Sequence, residues 1–419
     1  MHFFKTKITA SFLCIAIIST TLFSTILAST LPTFAIVDGT KQTEEKEYIT
    51  NESSVQTVAT PTFTFQSKAQ ILMEQSTGKI LYANNENEHL LPASVTKVMT
   101  LLLIMEAIDS GKLSLTDTVT CSANASGMGG SQIWFKEGET LTIDEALKCI
   151  CVVSANDVSV AMAELIGGTE ENFVQMMNDK AASLGMENTH FMNAHGIDEE
   201  NHYTCAKDIA IMSRELVTRH PNILNYTTIW MDTIRNGEFS LSNTNKLLKS
   251  YTGITGLKTG STSQAGFNLS ATATRDGVSL IAVVMTAPSG TIRNEEITQL
   301  LNYGFSNFTV KTFATKGDLI QSININKNIN GEVKLVFGDT AAQILEKGAN
   351  LEVTQELVLK DNLSAPLNAN DIVGEVVFKD KDGNVVSKVN AVVSQDIPRS
   401  SFIEYLRHTF NTYLMATFA

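Results

Sequence analysis

The sequence predicts an α+β protein: an antiparallel sheet carrying helices, then a small all-β domain, then a C-terminal amphipathic helix. Three observations lead to this prediction. Strand-like segments come first, helix-like segments follow, and two strand-like runs return near residue 266. Short alternating runs broken by Gly, Asn and Asp fill residues 307–398. In the last segment, 399–419, an apolar residue recurs every fourth position.

The N-terminus has the pattern of a signal peptide. Two lysines precede an uncharged run over residues 8–36, so a signal peptide is predicted over 1–35 and the protein is expected to be exported. Cleavage is expected after Ala35, with Ala28 as the other candidate, and a retained membrane anchor is the alternative. Residues 36–62 are polar and aperiodic, which predicts a flexible lead-in.

Residues 63–306 form the first predicted domain. Its expected strands and helices alternate with Gly-containing turns, and Pro92 stands just ahead of the first helix. The strands are predicted at Gln70–Glu74, Ile80–Ala83, Gly266–Thr274 and Val278–Thr286, and the helices at Ser94–Ile108, Ile143–Cys151, Asp157–Ile166, Glu170–Leu184, Ala206–Val217 and Arg293–Gly304.

Residues 307–398 form the second predicted domain. It has no catalytic constellation, so a spacer or interaction module is expected. One short helix is considered at Thr340–Leu345. Five strands are predicted: Ile320–Ile325, Glu332–Phe337, Leu351–Leu359, Gly374–Phe378 and Val385–Val393.

The tail, 399–419, is predicted to be an amphipathic helix. Phe402, Leu406 and Phe410 begin an apolar stripe, and Glu404 and Arg407 lie on the other side. Polar residues interrupt the segment too often for it to span a bilayer. We predict that it lies in the membrane interface, and a helix docked on the β domain is the alternative.

The composition excludes several classes of function. The formal net charge of −13 argues against nucleic-acid binding, which needs a basic surface. The histidines and cysteines lack a zinc-binding spacing, so no metal and no other cofactor is predicted. After signal removal Cys121, Cys149, Cys151 and Cys205 remain, and we expect buried free thiols.

Three short segments together indicate nucleophilic catalysis. They are Ser94-Val95-Thr96-Lys97, Ser154-Ala155-Asn156 and Lys258-Thr259-Gly260. A serine hydroxyl needs a base to accept its proton, and an amine three residues later on a helix lies on the same face. That amine can act as a base only when neutral, which burial or a nearby cation such as Lys258 would favour.

The other two segments complete the predicted cleft. Ser154 can relay a proton to the leaving group, and Asn156 can hold a substrate amide. Gly260 lets an edge strand approach an extended substrate, while two backbone N–H groups stabilise the oxyanion. Each segment alone is weak as a signal, but the ordered set is the one found in class A β-lactamases and penicillin-binding proteins.

The chain resembles the exported D-alanyl-D-alanine carboxypeptidases, which are low-molecular-mass penicillin-binding proteins. The resemblance covers roughly residues 63–398 and rests on the following segments: Leu91–Thr100, Gly129-Gly130-Ser131-Gln132, Ser154-Ala155-Asn156-Asp157, Gly256–Gly260 and Ala265–Leu269. It implies a fold shared with serine β-lactamases, removal of the terminal D-Ala from peptidoglycan stem peptides, and covalent inhibition by β-lactams. It also implies a membrane anchor at the C-terminus, on the outer face of the cytoplasmic membrane.

The resemblance also implies roles for individual residues. Ser94 would be the acylated nucleophile, Lys97 its base, and Ser154 and Asn156 would line the cleft. Lys258 and Thr259 would bind the substrate carboxylate, and the oxyanion hole would be the N–H groups of Ser94 and Ser261.

Two positions depart from the family pattern. Ala155 stands where many relatives have glycine. Some relatives also place an arginine upstream of the third motif, but none occurs between Asn236 and Leu257. Carboxylate recognition is therefore expected from Thr259 and Ser261, or from Arg293.

Three alternatives remain open on the residues. A β-lactamase shares the motifs, although no E-x-x-L-N segment follows the second one, and His195 is expected to be a structural residue. A D,D-endopeptidase would use the same cleft on cross-linked wall. A non-catalytic wall-binding protein would keep the fold and form no adduct with penicillin.

Overall fold

The computed structural model describes residues 61–418. The predicted signal peptide over 1–35 and most of the predicted lead-in over 36–62 lie outside the described residues. Within them the strands, in chain order, are β1 (Ala69–Glu74), β2 (Ile80–Asn84), β3 (Thr118–Thr120), β4 (Thr140–Thr142), β5 (Met231–Ile234), β6 (Phe239–Ser242), β7 (Ile254–Thr262), β8 (Gly266–Arg275), β9 (Val278–Ala287), β10 (Phe308–Ala314), β11 (Leu319–Ile323), β12 (Val333–Phe337), β13 (Ala341–Glu346), β14 (Val353–Leu359), β15 (Ile372–Asp380) and β16 (Val385–Val393).

The helices lie between and after these strands. They are α1 (Lys97–Asp109), α2 (Ala123–Ser126), α3 (Ile143–Lys148), α4 (Asn156–Gly167), α5 (Glu170–Ser183), α6 (Ala206–Arg219), α7 (Leu224–Thr227), α8 (Leu247–Ser250), α9 (Gly290–Asn307) and α10 (Phe402–Phe418). Short 3₁₀ turns add Ala93–Thr96, Pro221–Ile223 and Arg235–Gly237, and one π-helical turn covers Cys149–Val153. The predicted α+β class is confirmed.

The central sheet is antiparallel, with strand order β2-β1-β9-β8-β7. Strand β9 shows why both faces are covered by helices. Its alternate residues Ile281, Val283 and Met285 pack in the core that contains α1, α4 and α6. Leu280, Ala282 and Val284, which alternate with them, pack in the core that contains Leu300 and Leu301 of α9. A strand buried on both faces reads as a continuous apolar run, as this one does.

Strand β7 is the outermost strand of that sheet, next to β8. It carries the Lys258-Thr259-Gly260 segment. The 3₁₀ turn Ala93–Thr96 and the start of α1 pack against it, with buried Val95 anchoring the turn in the core. The sheet edge and the helix start therefore meet, and this meeting point positions the candidate site.

The second domain contains two sheets, with strand orders β11-β12-β16-β15-β14 and β10-β13. The short helix considered at Thr340–Leu345 is not formed. Residues 341–345 belong to β13, which pairs antiparallel with β10, a strand that the sequence did not indicate. The segment contains good helix formers, but Ala341 and Ile344 are buried in the β core, and this tertiary packing overrides local propensity.

The chain ends in helix α10. Just before it, Ser400 is buried: its N–H donates to the Lys327 carbonyl at 2.8 Å, and its Oγ accepts from the Ile329 N–H at 3.0 Å. Beyond this attachment the apolar side chains of the first turns face solvent, with Phe402 81% exposed and Phe410 61% exposed. Among residues 61–418 no helix has the length and apolar character to cross a bilayer.

The four cysteines of the described region, Cys121, Cys149, Cys151 and Cys205, are buried free thiols. Burial raises the pKa of each thiol; for Cys121 the value is about 11. Buried thiols of this kind are inert, which agrees with the prediction from the sequence.

Candidate active site

The first predicted segment lies on the 3₁₀ turn that leads into α1. Ser94 is partly exposed, and the Lys97 Nζ lies 3.1 Å from its Oγ. Ala93, just before it, has a left-handed backbone with φ of 48°, an uncommon conformation for a non-glycine residue. Local strain of this kind clusters at functional sites. Here it accompanies the turn that leaves the Ser94 hydroxyl accessible while the residues around it are buried.

The Lys97 side-chain amino group is fully buried and surrounded by oxygen atoms. Its Nζ lies 2.6 Å from the Asn156 Oδ1 and 2.5 Å from the His195 carbonyl oxygen, in addition to the Ser94 Oγ. Burial, and then the positive charge of Lys258, lower the pKa of Lys97 well below its usual range. An amine that loses its extra proton here could still donate to the two carbonyl-type oxygens, and its lone pair would then be available to the Ser94 hydroxyl.

The second segment follows the π-helical turn at the end of α3. Ser154 takes a left-handed backbone with φ of 65°, and its side chain is almost wholly buried. The Asn156 side chain donates to the Gly129 carbonyl at 2.7 Å, and its backbone N–H donates to the Ser131 carbonyl at 2.7 Å. The loop that carries Ser131 is thereby fixed against the start of α4.

The third segment brings a second buried lysine to the same cluster. Lys258 Nζ donates to the Ser154 Oγ at 2.9 Å and to the Thr259 carbonyl at 2.8 Å. Burial lowers the pKa of Lys258 to about 7, helped by the charge of Arg293. The pKa values of both buried lysines are therefore lowered, and the positive charge of Lys258 is one of the causes for Lys97.

Gly260 permits the close approach of β7 to the Ser94 turn. A Cβ atom at this position would lie 2.8 Å from the backbone nitrogens of Ser94 and Val95, closer than real Cβ contacts. Only glycine leaves room here. As a result the Ser94 N–H and the end of β7 at Ser261 border the same small space, where a substrate carbonyl oxygen would lie.

These residues open into a cleft of about 360 Å³. Serine and threonine hydroxyls, two cationic side chains and one amide side chain line it. The lining residues are Ser94, Ser131, Ser154, Thr244, Lys246, Thr259, Gly260, Ser261, Phe267, Gly290, Thr291, Arg293 and Asn294.

The structure thus brings all the predicted site residues together: Ser94, Lys97, Ser154, Asn156, Lys258, Thr259, Gly260 and Ser261. Arg293, considered from the sequence as a carboxylate ligand, also lines the cleft, from the first turn of α9. Its guanidinium group is buried and donates to the Asn294 Oδ1. In the described region no cluster of three or more His, Cys, Asp or Glu side chains could hold a metal ion.

The sequence did not indicate the contribution of the loop 193–197. Its His195 carbonyl accepts from Lys97, and its Ala194 carbonyl accepts from Thr100 at 2.6 Å. The His195 ring Nδ1 accepts from the Ile197 N–H at 3.1 Å, which makes the ring a structural group as expected. Burial lowers the pKa of His195 to about 3, so the ring is neutral at neutral pH.

His202 is a second structural histidine at this site. The Met192 N–H donates to its Nδ1 at 2.9 Å, so Nε2 carries the hydrogen atom and donates it to the Thr96 Oγ1 at 2.8 Å. The ring must be neutral for both bonds to form. Burial lowers its pKa to about 4, and the charge of His190 contributes.

We expect His202 to make the protein sensitive to acid. Between pH 6.5 and pH 4 the unfolded chain binds a proton at this residue that the folded chain excludes, so stability falls as the pH decreases; above pH 6.5 the effect is absent. The loss is about 3 kcal/mol at pH 4. Urea unfolding at pH 7 and pH 4.5 should show a smaller pH dependence for His202→Gln than for the wild type. The matched variant His89→Gln, at an exposed histidine, should keep the wild-type pH dependence of the unfolding free energy. The same pH dependence in all three proteins would contradict the role assigned to His202.

Comparison with known proteins gives a consistent result. A family model described as D-alanyl-D-alanine carboxypeptidase matches residues 54–289, and a model described as the C-terminal domain of penicillin-binding protein 5 matches residues 308–399. The chain is 40% identical to the D-alanyl-D-alanine carboxypeptidase DacF of Bacillus subtilis over 352 residues, which covers 83% of this chain and 90% of the relative. It is 31% identical to DacC of Escherichia coli, over 83% of this chain and 88% of the relative.

Solved structures agree with the sequence relatives. Penicillin-binding protein 5 from Haemophilus influenzae aligns with a TM-score of 0.65 and 32% identity, over 81% of this chain and all of that one. Penicillin-binding protein D2 from Listeria monocytogenes, solved in a cefotaxime-bound form, aligns with a TM-score of 0.55 and 29% identity, over 58% of this chain and 99% of that one.

Proposed function

This chain belongs to the D-alanyl-D-alanine carboxypeptidase family of serine hydrolases, and we propose that it removes the terminal D-Ala from peptidoglycan stem peptides through an acyl-enzyme on Ser94. The observation that carries the residue assignment is the hydrogen-bonded cluster around Lys97. The Lys97 amine, which is buried and has a lowered pKa, lies 3.1 Å from the hydroxyl oxygen of Ser94. Ser94 in turn lines a cleft that also contains cationic side chains.

Acylation follows from this arrangement. Lys97 Nζ takes the proton of the Ser94 hydroxyl as Oγ attacks the carbonyl carbon of the penultimate D-Ala. The N–H groups of Ser94 and Ser261 stabilise the oxyanion. The proton then passes from Lys97 through Ser154 to the nitrogen of the departing D-Ala, the C–N bond breaks, and the acyl group stays on Ser94. Water later attacks the ester carbonyl carbon while Lys97 accepts a proton from it; the C–Oγ bond then breaks, Lys97 returns the proton to the Ser94 Oγ, and the shortened peptide leaves with a new terminal carboxyl group.

The terminal carboxylate of the substrate would lie at the cationic part of the cleft. Lys258 supplies a buried charge, Thr259 and Ser261 supply hydroxyls, and Arg293 supplies a buried guanidinium group that lines the cleft. A bound carboxylate would raise the pKa of Lys258 from about 7 and keep it protonated. This set replaces the upstream arginine that the sequence lacks.

A time course of intact-protein mass with excess penicillin tests this proposal. We expect a gain of one drug mass that maps to Ser94 and persists for many minutes, because carboxypeptidases of this family deacylate slowly from β-lactams. An adduct that disappears as the drug is consumed would favour a β-lactamase. If no adduct formed, a non-catalytic wall-binding protein would be the better interpretation.

We further propose that the chain is exported and that α10 holds it at the membrane surface. The supporting observation is that the apolar side chains Phe402, Ile403 and Leu406 are exposed, from 61% to 81%, instead of packing on the β domain. The predicted signal peptide over 1–35 agrees with an extracytoplasmic location. Binding in the interface would bury the apolar stripe that the folded chain leaves in water.

Deleting residues 402–419 should release the protein from membranes. The cut leaves Ser400 in place, so its bonds to Lys327 and Ile329 still close the β domain. We expect the truncated form to move from the membrane fraction to the soluble fraction and to keep its rate of D-Ala release. If the truncated form stayed with the membranes, the docked-helix alternative for the tail would be favoured.

A further inference from the structure

A large aromatic side chain projects into solvent from the loop that carries Ser131. Trp134 is 65% exposed, and its backbone is left-handed with φ of 54°, which is a genuine outlier for so bulky a residue. Two other non-glycine residues with left-handed backbones, Arg235 and Asn236, lie on the turn between β5 and β6. Backbone strain of this kind is concentrated at ligand clamps and active sites.

The loop that carries Trp134 contacts the turn between β5 and β6 directly. The Arg235 guanidinium donates to the Ile133 carbonyl at 3.0 Å and to the Glu139 carboxylate at 2.6 Å. Its Cζ atom lies 5.3 Å from the centre of the Phe239 ring. The Phe239 ring in turn meets the Trp134 ring edge-on, with 6.0 Å between centres. We call Trp134, Phe239 and Arg235 the aromatic ledge. Its rings are held in place although one of them is mostly exposed.

The aromatic ledge is continuous with the candidate active site. The Asp157 carboxylate accepts the N–H groups of Ile133 and Phe135, both at 3.0 Å, which fixes the backbone on either side of Trp134. Asp157 directly follows Asn156, and Ser131, three residues before Trp134, lines the cleft. The ledge therefore lies at the Ser131 side of the cleft, whereas Arg293 and Lys246 mark the cationic side.

We propose that the aromatic ledge binds the sugar ring to which the stem peptide is attached, so that the protein favours sugar-bearing substrates. This inference rests on the proposed function. With the terminal carboxylate at the cationic side, the rest of the stem leaves the cleft past Ser131 and Asn156. Ser94 and Ser131 line the same cleft, and Trp134 lies at most about 10 Å along the chain from Ser131, which is within the roughly 14 Å that the four stem residues before the cleaved bond can span.

The chemistry of the ledge fits a pyranose. A sugar ring has an apolar C–H face that packs on an aromatic ring, and hydroxyl groups at its edge that need polar partners. The ledge is two rings wide and is bordered by the Arg235–Glu139 ion pair, with 2.6 Å between Nε and Oε1. A lipid chain or a protein partner would need a broader apolar surface than these two rings supply.

The test compares two substrates that differ only in the sugar: a pentapeptide with a free N-terminus and the same pentapeptide on N-acetylmuramic acid. We expect Trp134→Ala to lower kcat/KM for the sugar-bearing peptide about three- to tenfold relative to the free peptide, the effect of one aromatic contact. Trp134→Phe should restore most of the difference, because it keeps a ring. Trp230→Phe, at the other tryptophan of the chain, is the matched control and should keep the wild-type ratio.

A binding readout separates this inference from effects on folding. The chain has 2 tryptophans, so a Ser94→Ala, Trp230→Phe protein retains Trp134 as its single tryptophan. We expect its fluorescence to change when the sugar-bearing peptide is added and to change less with the free peptide. Equal losses of kcat/KM on both substrates, or no change on either, would overturn the inference. Failure of the proposed function would look different, because the wild type would then release D-Ala from neither peptide.

Discussion

Ser94→Ala should form no covalent adduct with penicillin and should lose D-Ala release by roughly 10⁴-fold or more, because no other hydroxyl in the cleft has the same contact with Lys97. The change removes one partly exposed oxygen atom and leaves the backbone of the 3₁₀ turn intact, so the fold should be retained. Intact-protein mass spectrometry with penicillin measures the adduct, and thermal unfolding measures the fold.

Ser110→Ala is a matched control for this experiment. Ser110 follows the last residue of α1, and its hydroxyl bonds only the Ala107 carbonyl of the same helix. The control should be acylated at the wild-type rate. If the Ser94→Ala protein still formed a covalent adduct with penicillin, the nucleophile would be a different residue, and peptide mapping would then identify it.

Lys97→Met should produce the second-largest loss. A methionine fills a similar volume in the buried site but has no basic nitrogen, so we expect acylation to slow by about 10²- to 10⁴-fold. Lys97→Arg should be equally slow, because a guanidinium does not give up its proton at any relevant pH. The rate of penicillin acylation, followed by mass or by a fluorescent penicillin, is the measurement.

The exposed Lys112, just beyond α1, offers the control for the second experiment. Lys112→Met makes the same substitution at a solvent-exposed position and should leave acylation unchanged. Wild-type acylation should also persist at neutral pH, where an ordinary lysine would be protonated, because burial and Lys258 lower the pKa of Lys97. Normal acylation by Lys97→Arg would exclude Lys97 as the base.

Much of the candidate site could be predicted because side chains carry its chemistry. Ser94, Lys97, Ser154 and Lys258 form ordered motifs, and their meeting follows from a helix start packed against a sheet edge. Their roles in the reaction remain predictions for the experiments above. Arg293 could be considered from the sequence only as a possibility, since nothing in its local segment shows that α9 begins beside β7.

The backbone contributions could not be predicted in the same way. The His195 carbonyl that accepts from Lys97 carries no residue signature, because every residue has a carbonyl group. The π-helical turn at Cys149–Val153 looks in sequence like the end of an ordinary helix. In the β domain, the length of Ala341–Glu346 suits either a short helix or a strand, and only its pairing with β10 decides between them.

The outermost position of β7 has a consequence for the range of substrates. In the described sheet β7 has no strand partner on its outer side, so an extended peptide could add there as one more strand next to the Lys258-Thr259-Gly260 segment, where Lys258 already occupies the Thr259 carbonyl. Recognition of this kind depends on main-chain groups that all peptides share, while alternate side chains point away from the pairing partner. A peptide held in this way would be bound through groups that do not depend on its sequence, so any discrimination between peptides would have to come from the side chains that line the cleft.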